Sequence, residues 1–193
     1  MASKSSTGLK SRTTQPVKEP VREGLDSRRA QIIEIASRVF GERGYKAASL
    51  DEVAKELNIT RPAIYHHFES KEEILCEIFE QHIQTLHTNV AGIVNLDLPP
   101  DERLRRIILY QVGIVLKRRQ RVAVFFHENA QLPEKYFRRL RQKRRNFEKL
   151  IEGVIQEGIE KGVFRDINAT LATYAILGMC NWAYQWYNPE GPM

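Results

Sequence analysis

The chain has 193 residues, 42% of them hydrophobic, so it can bury a substantial core as one elongated domain or two small ones. Its formal charge of +6 favours an anionic partner such as nucleic acid, a phosphorylated metabolite or a membrane surface without choosing among them. The two cysteines, Cys76 and Cys180, both sit in apolar helical patterns, which argues against a disulfide framework and for small core residues in a reducing, cytoplasmic setting.

Residues 1–26 are rich in Ser, Thr, Lys, Arg and Pro and hold too few large apolar side chains to order themselves. They also lack the apolar run of a secretory signal, so a disordered basic tail is expected there, with Pro16 and Pro20 opposing helix. As a mobile cationic arm the tail could reach DNA phosphates; the alternative is a remnant of expression. Nowhere does the chain offer the roughly 20 consecutive apolar residues of a membrane span.

From Ser27, an apt N-cap, Ile32, Ile33, Ala36, Val39 and Phe40 recur at helical spacing until Gly44, which suits the left-handed turn past a helix end. Ser49 opens a second helix, Glu52 completes its capping box, and Val53, Ala54 and Leu57 share one side. Asn58-Ile59-Thr60 then makes a tight turn, with Ile59 plugging inward and Thr60 capping a third helix that carries Pro62 in its first turn. Ser70 and Glu73 form another capping box before a long helix, along which Ile74, Ile78, His82, Leu86 and Val90 recur every four residues.

Leu98-Pro99-Pro100 makes a loop, and Asp101 caps a helix through Leu104, Ile107, Ile108 and Val115. A junction at the charges of 117–121 leads to Val124, Phe125 and Phe126. Pro133 restarts helix, whose stripe of Phe147, Leu150, Ile151, Val154, Ile155 and Ile159 ends at Gly162. Asn168 or Ala169 opens the last helix, which runs through Leu171, Ile176, Trp182 and Tyr184 to Tyr187 and is stopped by Pro189, Gly191 and Pro192. No segment alternates with period two, and no repeat of fixed length occurs. The fold class is therefore all-α: three N-terminal helices over 27–73, the second and third joined as helix-turn-helix, then a helical bundle over 74–193.

Two helices joined by a short turn form a unit whose second helix can enter a major groove. Here Ile64 and Phe68 would seat that helix on Phe40, Leu50, Val53 and Leu57, leaving Arg61, Pro62, Ala63, Tyr65 and His66 facing outward. Arg61 suits a bidentate contact with guanine, Pro62 and Ala63 suit thymine methyls, and Tyr65 suits a base edge or phosphate. Ser49, His67 and Lys71 lie where backbone phosphates would pass. Acids and bases nearly balance over residues 27–73, so a modest salt dependence is expected.

At these residues the chain resembles the TetR family, in Gly44-Tyr45, Ser49-Leu50 through Ala54, Ala63-Ile64-Tyr65-His66-His67-Phe68 and Ser70-Lys71-Glu72-Glu73. The resemblance covers 27–78. It implies DNA contacts at Ser49, Thr60, Arg61, Pro62, Ala63, Tyr65, His66, His67 and Lys71. It also implies that 27–73 is the DNA-binding domain and 74–193 a ligand-binding and dimerisation domain, with a homodimer on a pseudo-palindromic double-stranded operator and repression released by a small-molecule effector.

Basic residues concentrate at Lys117, Arg118, Arg119 and Arg121, and again from Lys135 to Lys149. They read either as a solvated helix face or as a site for a ligand's phosphates. The stretch from Gly178 to Pro192 resembles the closing motif of TetR regulators that sense acyl-coenzyme A thioesters, among them repressors of fatty-acid, phenylacetate and steroid-ring degradation. That resemblance implies an acyl chain near Phe125, Phe126, Leu177, Asn181, Trp182 and Gln185, with coenzyme A phosphates near Arg118 and Arg145. Trp182 and Trp186 read equally as helix packing or a dimer interface. Regulators of this type carry a further helix after the proline-glycine motif, so a chain ending at Met193 is expected to be truncated or to have a weakened dimer.

His82, His87 and His127 have no Cys or carboxylate partners at ligand spacing, so neither a metal nor another cofactor is expected. No Gly-rich phosphate loop and no nucleophile elbow point to an enzyme. The competing readings are a helical adaptor for an anionic partner, or a sensor of a different hydrophobic effector.

Overall fold

The computed structural model describes residues 20–117, 122, 126, 128, 132–188 and 191, with side chains from residue 27 onward. Among these residues there are seven helices and no strand, as the periodicity requires. They are α1 (Pro20–Arg43), α2 (Leu50–Glu56), α3 (Arg61–Tyr65), α4 (Lys71–Val94), α5 (Pro100–Lys117), α6 (Glu134–Glu160) and α7 (Ala169–Trp186).

Helix α1 spans Pro20–Arg43, so Ser27 lies inside it and is not its cap. Pro20 opens the helix because a first-turn residue has no intrahelical use for the N–H that proline lacks. Pro100 opens α5 in the same way, which places Asp101 in the first turn and not at the cap. Gly44 ends α1 with φ +79°, and Asn58 takes φ +53° in the turn before α3.

The capping box of α2 is complete: Ser49 Oγ accepts from the Asp51 amide at 3.1 Å, and Glu52 accepts from the Ser49 amide at 3.1 Å. The one expected at α4 is shifted. Ser70 Oγ accepts from the Glu73 amide at 3.2 Å, but the Glu73 carboxylate reaches back to the amide of Glu69 at 2.6 Å. Thr60 occupies the capping position of α3, yet its side chain makes no capping bond.

Along α4 the buried row is Leu75, Phe79, Ile83, Leu86 and Val90, while Ile78 and His82 stand half-buried at its edge. A strict four-residue step advances about 40° around the helix each time, so the row read from the sequence cannot hold one face for its full length. Helix α4 lies along α6 and also meets α1 and α5; α5 and α6 pack on each other and on α7.

One continuous apolar cluster joins the two expected domains, running from Ile32, Phe40, Val53, Ile64 and Phe68 through Ile74 and Phe79 to Ile107, Phe147 and Ile151. Arg29 reinforces the junction from α1: its guanidinium lies 4.0 Å over the Phe68 ring, donates to the His67 carbonyl, and pairs with Glu73 at 3.0 Å and with Glu77.

Candidate DNA interface and effector cavity

Helix α3 is held by two side chains that water does not reach, Ile64 and Phe68, exposed by 0% and 2%. Its opposite face presents Arg61, Pro62, Tyr65 and His66, with Thr60 exposed just before them and Ala63 and His67 half-buried at the flanks. Four of the five residues expected to face outward do so; Ala63, one position before the buried Ile64, is drawn partly into the packing.

In this face Arg61 donates to Asp51 Oδ2 at 3.1 Å and lies 3.5 Å from the Tyr65 hydroxyl, while Ser49 Oγ donates to the same Asp51 oxygen at 3.1 Å. The Tyr65 hydroxyl first, and then the charge of Asp51, hold the guanidinium pKa above its ordinary value. A shallow concavity lies between the starts of α2, α3 and α4; it is lined by Ser49, Arg61, Tyr65, Ser70 and Lys71, with Glu69 and Glu72 at its edge.

Lys71 turns inward from that rim. Its ammonium donates to the carbonyls of Tyr45 and Ala48, the latter at 2.6 Å, and lies 4.4 Å over the Tyr45 ring. Partial burial pulls its pKa down, opposed by the charges of Glu72 and Glu128. Lys71 thus fixes the loop that presents Ser49.

Farther along the molecule, α4, α5, α6 and α7 enclose a cavity of about 280 Å³. His82, Ile83 and Leu86 come from α4, Gln111 and Val115 from α5, Arg144, Phe147 and Glu148 from α6, and Tyr174, Leu177, Gly178 and Asn181 from α7, with Val122 and Phe126 completing the wall. Gln111 is buried, and its side-chain amide donates to Asn181 Oδ1 at 3.1 Å. Glu148 is also buried and faces Arg144 at 3.3 Å and Arg145 at 3.9 Å.

Of the ligand residues expected from the sequence, Phe126, Leu177 and Asn181 line this cavity. Phe126 also stacks on Tyr184, with ring centroids 5.5 Å apart. Arg145 stands beside the cavity, paired with Glu152 at 3.1 Å and donating to the Tyr174 hydroxyl at 3.4 Å. Trp182 is 61% exposed and Gln185 donates to the Tyr184 hydroxyl; neither is part of the wall. The reason is angular: Leu177 and Asn181 share a face of α7, and Trp182 lies about 100° around from it. Arg118 and Phe125 lie outside the described residues.

Sequence reasoning missed Gln111 and Glu148, and held Arg144 only as one of the basic run from Lys135 to Lys149. The signal for Gln111 was available, because it occupies a buried register with Ile107 and Val115 at four-residue spacing, where a polar side chain calls for a reason. The basic run of α6 resolves mainly into ion pairs: Lys135 with Glu69 at 2.9 Å, Arg138 with Glu134 at 3.6 Å, and Arg139 and Lys143 with the buried Glu80. Among the described residues no three potential metal ligands cluster, and no helix is long and apolar enough to cross a membrane.

Comparison with known proteins bears on both sites. Residues 32–78 match the family described as bacterial regulatory proteins, tetR family, and residues 97–193 match the tetracyclin repressor-like C-terminal domain. The HTH-type transcriptional repressor KstR2 of Rhodococcus jostii is 30% identical over 171 residues, 87% of this chain and 83% of that protein. A TetR/AcrR-family regulator from Thermobifida fusca is 31% identical with a TM-score of 0.74, over 86% of this chain and 89% of that one. The regulator AibR, solved with isovaleryl coenzyme A and operator DNA, is 26% identical with a TM-score of 0.76, over 86% of this chain and 90% of its own.

Proposed function

The chain belongs to the TetR family of bacterial transcriptional regulators, and on that premise we propose that it releases a pseudo-palindromic operator when an acyl-coenzyme A thioester fills the cavity. It is a DNA-binding, ligand-responsive regulator, and its relatives act as transcription regulators, not as enzymes. The residues proposed to touch DNA are Ser49, Thr60, Arg61, Pro62, Ala63, Tyr65, His66 and His67, with Lys71 acting through the loop it holds.

The observation that carries the reading is the path of α4. One uninterrupted helix begins at Ser70, beneath the turn that ends α3, and supplies His82, Ile83 and Leu86 to the cavity wall about 16 Å along its axis. An effector that fits better when α4 tilts displaces the start of that helix and, through the turn that follows α3 and the Arg29 bridge from the His67 carbonyl to Glu73, the recognition helix beside it. Release then requires tighter binding to the tilted form, by roughly 10⁴-fold to carry the population from 99:1 to 1:99.

An acyl group suits the apolar wall of Val115, Val122, Phe126, Phe147 and Leu177. Coenzyme A itself exceeds the cavity and would remain at the opening, where Arg144 and Tyr174 are most exposed and Arg145 adjoins. The isovaleryl coenzyme A bound by AibR supports this class of ligand. A second reading, a hydrophobic effector without coenzyme A, is favoured by one observation: both arginines are already paired with Glu148 and Glu152.

A homodimer follows from the same premise, since two copies would set their recognition helices roughly 34 Å apart, one turn of DNA. Selection of bound sequences from random DNA, with and without acyl-coenzyme A esters, tests the whole reading. Replacing Arg61→Ala and Tyr65→Ala together should abolish binding to the selected operator while leaving the helical content unchanged. Retained binding would overturn the interface, and effects of free acids without effects of thioesters would select the second reading.

A further inference from the structure

Resting on the acyl-thioester reading, we infer that the acyl group this cavity selects carries a hydroxyl, received by the side-chain amides of Gln111 and Asn181. On the buried face of α5 two polar side chains interrupt the apolar row, Arg103 and Gln111. Arg103 donates to the Val94 carbonyl at 3.1 Å and pairs with Glu157 at 2.6 Å; its Nε has no hydrogen-bond partner, but Arg103 is no part of the cavity wall. Gln111, only 4% exposed, is half committed: Nε2 donates to Asn181 Oδ1, and Oε1 has no hydrogen-bond partner.

Both residues line the cavity, which brings this buried, unpartnered amide to the wall that an effector meets. Native interiors leave few such atoms bare, and those that remain call for an explanation in function. A plain hydrocarbon chain would leave this oxygen unpaired. The two amides bonded to each other keep one acceptor, Gln111 Oε1, and one donor group, Asn181 Nδ2. Turning both amides over exchanges which residue supplies which, without changing the offer.

A hydroxyl answers both, because it donates one hydrogen bond and accepts another. A ketone accepts only, and a carboxylate accepts only while bringing a charge into an apolar wall. The neighbouring Glu148 does not compete for this role, since Arg144 and Arg145 already face it. Apolar residues of the same wall, among them Val115, Phe147 and Leu177, hold the hydrocarbon.

The test is calorimetric titration of the full chain with butyryl- and octanoyl-coenzyme A and with their 2-, 3- and 4-hydroxy counterparts. At least one hydroxylated ester should bind about tenfold tighter than its parent or better, as expected for satisfying a buried amide. That advantage should collapse in Gln111→Met, and in Asn181→Leu should the first variant fail to fold by circular dichroism. Equal affinities for parent and hydroxylated esters would overturn the inference and leave the acyl-thioester reading standing. A hydroxyl preference that survives both substitutions would place the selecting group elsewhere and also overturn it. If no ester binds, hydroxylated or plain, the reading it rests on falls and takes the inference with it.

Discussion

At the proposed DNA interface, Arg61 has its charge already occupied. Its partner Asp51 is exposed, and such a solvent-screened pair holds far less than a bidentate guanine contact can return. Asp51 nevertheless adds a negative charge to the surface that must approach phosphates, while its place in the first turn of α2 stabilises that helix through the macrodipole. Asp51→Asn should therefore tighten operator binding about two- to fivefold at low salt, with the gain shrinking as salt rises, and should cost a fraction of a kcal/mol in stability. Fluorescence anisotropy on a labelled operator across a salt series checks this; weaker binding would mean that Asp51 positions Arg61 for its base. The outward set of α3, Ala63 apart, was legible because burial of Ile64 and Phe68 dictates it through helical geometry alone. Lys71 was not, because its carbonyl partners depend on how the loop from Gly44 to Ser49 folds back over α4, which no local pattern encodes.

Elements were legible where a cap or a breaker states the boundary chemically, as at Ser49, Pro133, Gly162 and Asn168, whose side chain accepts from the Leu171 amide at 2.9 Å. They were misread where a residue type allows two roles: Pro20 opens α1 although proline inside a helix would break it, and Ser27 lies mid-helix despite its value as a cap. The end of α6 shows a contact invisible to sequence. After the turn at Gly162, the amides of Val163 and Phe164 both donate to the Gly158 carbonyl, at 2.8 and 3.0 Å, so the Phe164 ring comes down on the glycine. A methyl group at residue 158 would stand 2.2 Å from that ring. Gly158→Ala should thus lose about 1–2 kcal/mol net, overpacking outweighing the gain in helix propensity, and lower Tm by about 2–6 °C. In a Phe164→Ala background the same change should be neutral or stabilising, and a melting series of the four proteins would show the coupling. An unchanged Tm in the single variant would mean that the loop shifts freely and does not brace α6.

At the scale of the molecule, α7 divides its two faces between two tasks. Leu177 and Asn181 face the cavity, whereas Leu171, Met179, Trp182 and Trp186, each more than 60% exposed, form an apolar stripe on the other side. A monomer would keep that much aromatic and aliphatic surface in water at a cost that burial against a second copy removes. Trp182 decides between the two roles its sequence position allowed, ligand contact and interface. If it belongs to the interface, Trp182→Glu places a charge in the seam, and sedimentation should show monomers at concentrations where the parent is dimeric. Operator affinity should then fall by about 10²–10⁴, because the second half-site no longer engages at high effective concentration. The acyl ester, meanwhile, should still bind the variant within about threefold, since Trp182 is no part of the wall. The opposite pattern, a persisting dimer that has lost the ester, would return Trp182 to the cavity and require α7 to rotate by about 100° from the position found here.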